Sequence, residues 1–188
     1  MTAKMDREIV GAVRLSDKEY EKVLAFFERA VREEPGRWSY WCDIGFCHGK
    51  LGRWQEAAAA FEKLTDDAPE ETASIHVLSL LGHAYIKLGR YQDAETVLNR
   101  AHRLEPYNLS VLYKLAVAYF QRGQAQLAVR PLQQIVGHKP QHLKAQYDLG
   151  LVLHQLGDQA GLERQIAILE RLSPAQADRL RQMAGTGD

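Results

Sequence analysis

Cysteine is nearly absent: Cys42 and Cys47 are the only two in 188 residues. They sit five positions apart on a stretch with helical periodicity and so point to different faces of one helix. A bridge between them would require that helix to unwind, and reduced thiols fit a reducing compartment. The pair has neither the close spacing nor the second ligand pair of a structural metal site. Charge of one sign is also missing, since Lys plus Arg and Asp plus Glu both number 24. A neutral chain lacks the basic excess that phosphate binding demands, so nucleic acid is not expected as a partner. Apolar runs are too short for a membrane span. The opening M-T-A-K-M-D-R-E-I-V-G-A-V-R has no apolar core before a small-residue cleavage site, so it does not read as a secretory signal. A cytoplasmic location follows as the expectation.

Catalytic patterns are missing too. No G-x-S-x-G, H-E-x-x-H or C-x-x-C occurs. G-F-C-H-G-K-L at 45–51 superficially resembles a phosphate-binding loop. It is one residue short, ends in Leu where Ser or Thr must meet Mg²⁺, and falls on a helical pattern. His76 and His83 lie two turns apart on one helix face, and with Cys42 they are the best metal candidates the sequence offers. No i, i+4 pair supports them, so no metal and no cofactor is expected. No enzyme site survives inspection.

What is present is a repeat. Hydrophobic residues make up 46% of the chain and charged residues 26%, which suits a soluble globular fold with a sizeable core. Of six prolines, five stand at Pro35, Pro69, Pro106, Pro140 and Pro174, a 34-residue period with one interval of 37. The excess falls at Thr72-Ala73-Ser74. Repeats then read 4–37, 38–71, 75–108, 109–142 and 143–176. The eighth position of each is small: Gly11, Gly45, Gly82, Ala116 and Gly150. Missing bulk there lets two antiparallel helices approach closely. Turn glycines recur at Gly52, Gly89, Gly123 and Gly157, where a left-handed residue ends a helix cheaply. Two repeats share nearly the same turn, G-R-W-Q-E-A and G-R-Y-Q-D-A.

Trp38 to Pro69 carries the fullest version of the frame, with Trp41, Ile44, Gly45, Gly52, Ala57, Phe61, Leu64 and Pro69 in register. This resembles the tetratricopeptide repeat, W-x2-L-G-x2-Y…A-x3-F…P, with His48 where the pattern prefers Tyr. The resemblance covers most of the chain. It implies an all-α fold: a right-handed superhelical array of helix–turn–helix pairs in one domain, 1–188, with a C-terminal capping helix at 177–184. Repeat 4–37 departs most from the pattern, as an end repeat should, although S-D-K-E at 16–19 is a good helix start with Ser16 or Asp17 as cap. Pro131 stands inside the second helix of repeat four, Gln126 to Val136, and predicts a kink or a late helix start. In the C-terminal helix Ala177, Leu180 and Met183 share the apolar side.

The family holds no common chemistry, so the resemblance implies a non-enzymatic interaction module or scaffold that takes a peptide segment of a partner in its concave groove. The first helix of each pair lines that groove. The positions that face it include Phe46, Lys50, His83, Lys87, Tyr113, Lys114, Phe120, Lys144, Tyr147 and Asp148. Aromatics interleaved with lysines suit a protein or peptide with acidic and apolar residues. Tyr113, Lys114, Lys144 and Tyr147, on neighbouring first helices, are expected to converge. An alternative is a chaperone like those of type III secretion, of similar size and repeat content, holding an exported protein. Chaperone-cofactor members of the family clamp a C-terminal carboxylate with a set of Lys, Asn and Arg. The matching positions here are Ser79, His83, Lys114, Lys144 and Asp148, of which Lys144 alone fits, so that ligand is not expected.

Overall fold

The computed structural model describes residues 15–67 and 74–185. Among the described residues all regular structure is helical, with ten α-helices, one π-helical turn and no strand. The helices are α1 (Asp17–Glu33), α2 (Ser39–Lys50), α3 (Trp54–Glu62), α4 (Ile75–Lys87) and α5 (Tyr91–Leu104). After them come α6 (Leu109–Gln121), α7 (Ala125–His138), α8 (Leu143–Gln155), α9 (Gln159–Leu172) and α10 (Pro174–Ala184). The all-α reading is therefore correct. The first helix of repeat 4–37, with Met5, Glu8, Ile9, Gly11 and Ala12, lies outside the described residues, as do Pro69 and Thr72-Ala73.

The four expected turn glycines all take positive φ, between 73° and 75°. Each turn closes with the same pair of bonds, one from the glycine N–H to the carbonyl three residues back (Gly52 to Gly49, Gly89 to Ile86, Gly123 to Phe120, Gly157 to His154) and one from the residue after it. Arg53 N–H reaches back to the His48 carbonyl at 2.9 Å, and Gln124 N–H to that of Tyr119 at 2.9 Å. Arg90 and Asp158 make the equivalent bonds to Tyr85 and Leu153. This is the Schellman closure, which satisfies carbonyls that a helix end leaves open. Some helix starts are fixed by side chains. The Ser16 backbone N–H and hydroxyl both donate to the Glu19 carboxylate, at 2.7 and 2.6 Å, so Ser16 rather than Asp17 caps α1. Asn108 accepts from the N–H groups of Ser110 and Val111 at the head of α6.

By its internal contacts the chain divides into two compact units, one ending at Ala84 and the other spanning Tyr85–Asp188. In the first, Tyr20, Leu24 and Phe27 of α1 pack with Tyr40, Ile44 and Cys47 of α2 and Ala60 of α3. Gly45 shows why the eighth position is small: a Cβ there would lie 2.6 Å from the Phe61 ring. In the second unit α6, α7 and α8 share a core built on Leu112, Leu132, Ile135, Leu149 and Val152. A further cluster joins Leu162, Ile166 and Leu169 of α9 to Ala177 and Leu180 of α10.

Two details differ from the sequence reading. Helix α7 does not start late; it runs from Ala125 to His138, longer at both ends than the expected Gln126 to Val136, with Pro131 buried inside it. Packing of Ala128, Leu132 and Ile135 against α6 and α8 outweighs the lost backbone bond. Helix α10 begins at Pro174, whose missing N–H is harmless in a first turn, and Met183 is 62% exposed while Ala177 and Leu180 are fully buried.

Candidate functional site

Within the second unit, α6 and α8 lie side by side on the α7 core, and their outer faces enclose a cavity of ≈ 270 Å³. Its walls are Val117 and Phe120 from α6 and Leu151 and Val152 from α8, with Leu132 of α7 below. Its polar rim is Tyr113, Gln121, Lys144 and Asp148. Helical spacing explains the set: 113, 117 and 120 fall on one face of α6, and 144, 148 and 151 on one face of α8.

The rim groups are tied to one another. The Tyr113 hydroxyl donates to the Asp148 carboxylate. Lys144 Nζ stands 5.0 Å above the Tyr113 ring centre, a cation–π pair. His142 stacks on the Tyr113 ring with centroids 6.2 Å apart. The His142 ring is itself held, because its Nδ1 accepts the Ala145 N–H at 3.2 Å at the start of α8. Burial raises the Asp148 carboxyl above the usual aspartate range, while the Tyr113 bond, Lys144 and His142 pull it down. Burial, and then the bond to Asp148, drives the Tyr113 hydroxyl well above its ordinary value. The ring therefore stays neutral, and the one carboxylate of the pocket has its charge opposed from three directions.

Of the ten residues expected in the groove, Tyr113, Phe120, Lys144 and Asp148 come together here. Lys114 and Tyr147 do not line this pocket. Each is one residue, about 100° of helix, away from a lining position. The half-buried Lys114 gives its ammonium to Ser110 Oγ at 2.6 Å, and burial lowers its pKa. Tyr147 packs on the α9–α10 cluster and lies under Arg179, 5.7 Å from the ring centre. The expected convergence of Tyr113, Lys114, Lys144 and Tyr147 is thus only half realised. In the first unit Lys50 Nζ lies 5.0 Å over the Phe46 ring on α2, and His83 of α4 meets Trp54 edge to face at 5.3 Å. Lys87 is exposed on α4. His142 was missed by sequence reasoning: it precedes its helix, outside the repeat positions that face the groove. Among the described residues no group of three His, Cys, Asp or Glu side chains is placed to hold a metal ion.

Two profiles of the same description, Tetratricopeptide repeat, match the chain, over residues 37–104 and 85–146. Together they reach across more than half of it. The chain belongs to the tetratricopeptide repeat family. MamA from Desulfovibrio magneticus RS-1 has the same fold, with a TM-score of 0.80 at 22% identity over 93% of this chain and 96% of that one. YrrB, described as a TPR protein with an unusual peptide-binding site, gives 0.78 at 18% identity over 88% and 84%. Protein NPGR2 of Arabidopsis thaliana is 31% identical over 83 residues, which is 44% of this chain and 11% of that relative's length. As a tetratricopeptide repeat protein, the chain carries its cavity on first helices of consecutive pairs, α6 and α8. None of the helices among the described residues is long and apolar enough to cross a membrane.

Proposed function

We propose that this tetratricopeptide repeat chain is a non-enzymatic scaffold that holds a segment of a partner protein in the α6–α8 pocket. The reading rests on one observation: an apolar cavity of ≈ 270 Å³ with an exposed, pre-positioned ammonium at its rim. Val117, Phe120 and Leu151 offer a wall for one apolar side chain, and such a buried anchor supplies most of the energy of a small interface. Lys144 offers its hydrogens to a carboxylate on the same segment, because its cation–π contact uses only the ring face. Asp148 opposes that carboxylate less than a bare charge would, since burial favours its neutral form and Lys144 lies beside it. The ligand class is a peptide with an acidic residue near an apolar one.

The test is capture of a partner by the intact chain, followed by affinity measurement with variants. Phe120→Ala removes the wall and should weaken binding by about 1–3 kcal/mol, the range of interface anchors. Lys144→Glu should slow association and reverse the sign of its salt dependence. Tyr147→Ala, outside the pocket, is the control and should leave affinity within about 0.5 kcal/mol. Circular dichroism checks that each variant is folded. Full affinity in both Phe120→Ala and Lys144→Glu would remove the pocket from consideration.

A further inference from the structure

The other side of α6 faces a second cleft of ≈ 440 Å³, between α5 and α7, which the function proposed above does not use. Its polar lining is Asn99, His102, Tyr119, Gln126, Arg130 and Gln134, with no carboxylate among the lining residues. Helix α7 contains no Asp or Glu at all, in a chain that is otherwise neutral. Arg130 makes no ion pair among the described residues. The Tyr119 hydroxyl leans on Asn99 Oδ1 at 3.4 Å, which leaves the Asn99 amide hydrogens to the cleft.

Two polar groups in the cleft are short of a partner. His102 Nδ1 is buried without a hydrogen-bond partner. Pro131 has no N–H, so the Leu127 carbonyl is denied its helical donor one turn on, and both residues line the cleft. A buried polar group without a partner is costly, so something must approach it. Leu112, Leu115 and Leu127 supply an apolar floor and lip, and Leu127 is 51% exposed.

We propose that the α5–α7 cleft is a second protein-binding site, taking an extended segment of another protein that carries a carboxylate beside an apolar side chain. A peptide answers four demands of the cleft at once. Its carboxylate pairs with Arg130, its carbonyls accept from the Asn99 and Gln134 amides, and its backbone N–H donates to the Leu127 carbonyl. Its apolar side chain packs on the exposed Leu127, above the buried Leu112 and Leu115. A simple anion would leave the Leu127 carbonyl unmet, and an apolar ligand would strand Arg130 and the amides.

The probe is a capped glutamyl-leucyl peptide, titrated into the isotope-labelled intact chain and followed by amide and side-chain NMR shifts. Saturable shifts are expected at Asn99, His102, Leu127 and Arg130. The capped glutaminyl-leucyl peptide, lacking the charge, should bind about tenfold more weakly, as should the glutamyl peptide to Arg130→Gln. Pro131→Ala restores an N–H to the Leu127 carbonyl and should weaken binding severalfold while helix content is kept, the opposite of what a merely structural proline would do. Lys144→Glu should leave these shifts unchanged, which separates this cleft from the α6–α8 pocket. The proposal is overturned by shifts that do not saturate, by shifts confined to the α6–α8 pocket, or by equal binding of the glutaminyl peptide. Undiminished affinity in Arg130→Gln or in Pro131→Ala would overturn it as well.

Discussion

Replacing Gly45 by Ala tests directly how closely α2 and α3 approach. In an exposed helix interior this change is favourable, worth about 0.5–1 kcal/mol, because Ala restricts the unfolded chain and suits the helix. Here the added methyl would stand 2.6 Å from Phe61 Cε1 and 2.8 Å from Cζ. Phe61 is 3% exposed and cannot swing into solvent, so the helices must part or the ring must leave its rotamer. Overpacking of this kind costs about 1–3 kcal/mol. The net result is a destabilisation of about 0.5–2 kcal/mol, or several degrees in Tm for a unit of this size. Gly137→Ala, in the other unit, is the control and is followed by circular dichroism because that unit holds no tryptophan; no atom lies within 4 Å of its added Cβ and it should gain a few tenths of a kcal/mol. All three tryptophans, Trp38, Trp41 and Trp54, lie in the unit that contains Gly45, so tryptophan fluorescence during thermal and urea unfolding reads that unit. Phe61→Leu on the Gly45→Ala background should recover part of the loss, a coupling of about 0.5–3 kcal/mol for residues in contact. A Gly45→Ala protein as stable as the parent, or more so, would refute the close approach.

Two further outcomes follow from burial and charge. Under native conditions a maleimide should modify half-buried Cys42 well before Cys47, which is fully buried and whose thiol is pushed up to about 12 by burial and by Asp43; equal rates would contradict the placement of both. Asp148 has a folded pKa raised from 3.8, so its protonated form is favoured by folding, and that contribution is lost as pH rises through the folded pKa. Asp148→Asn, which cannot titrate, should therefore gain Tm relative to the parent as pH rises above the ordinary aspartate value; a difference that is flat or falls with pH would show that the carboxylate is not desolvated.

The repeat frame was legible because it is written in residues with a single local purpose. Gly52, Gly89, Gly123 and Gly157 each accept a positive φ, and Gly45 makes room for one ring; neither role depends on distant sequence. The α7 boundary was not, because Pro131 carries a local penalty that only tertiary packing of Leu132 and Ile135 can overrule. The candidate site was half legible. Helical spacing placed Tyr113 with Phe120 and Lys144 with Asp148, yet it could not say which way Lys114 or Tyr147 leans around its helix. Lys114 was taken by a neighbour four residues back, Ser110, and Tyr147 by the C-terminal cluster. His142 carried no signal, since its work is to accept one backbone N–H and stack on one ring.

The aromatic and cationic residues that the sequence set side by side turn out to be paired with one another: Lys50 on Phe46, Lys144 on Tyr113, Arg179 on Tyr147. Lys50 on Phe46 is an i, i+4 contact and could be read from the chain; the other two join separate helices and could not. Such pairing changes what a groove lysine is for. A free ammonium on a flexible stem loses about 0.5–1.5 kcal/mol of rotamer freedom when a ligand captures it. One already seated on a ring has surrendered part of that freedom during folding, while its outward hydrogens stay available. The contact with Tyr113 therefore adds little to stability at an exposed position, but it aims Lys144 across the mouth of the α6–α8 pocket before any partner arrives. Removing the ring should weaken a carboxylate ligand even where the ligand never touches Tyr113, because the ammonium would have to be ordered by the ligand alone.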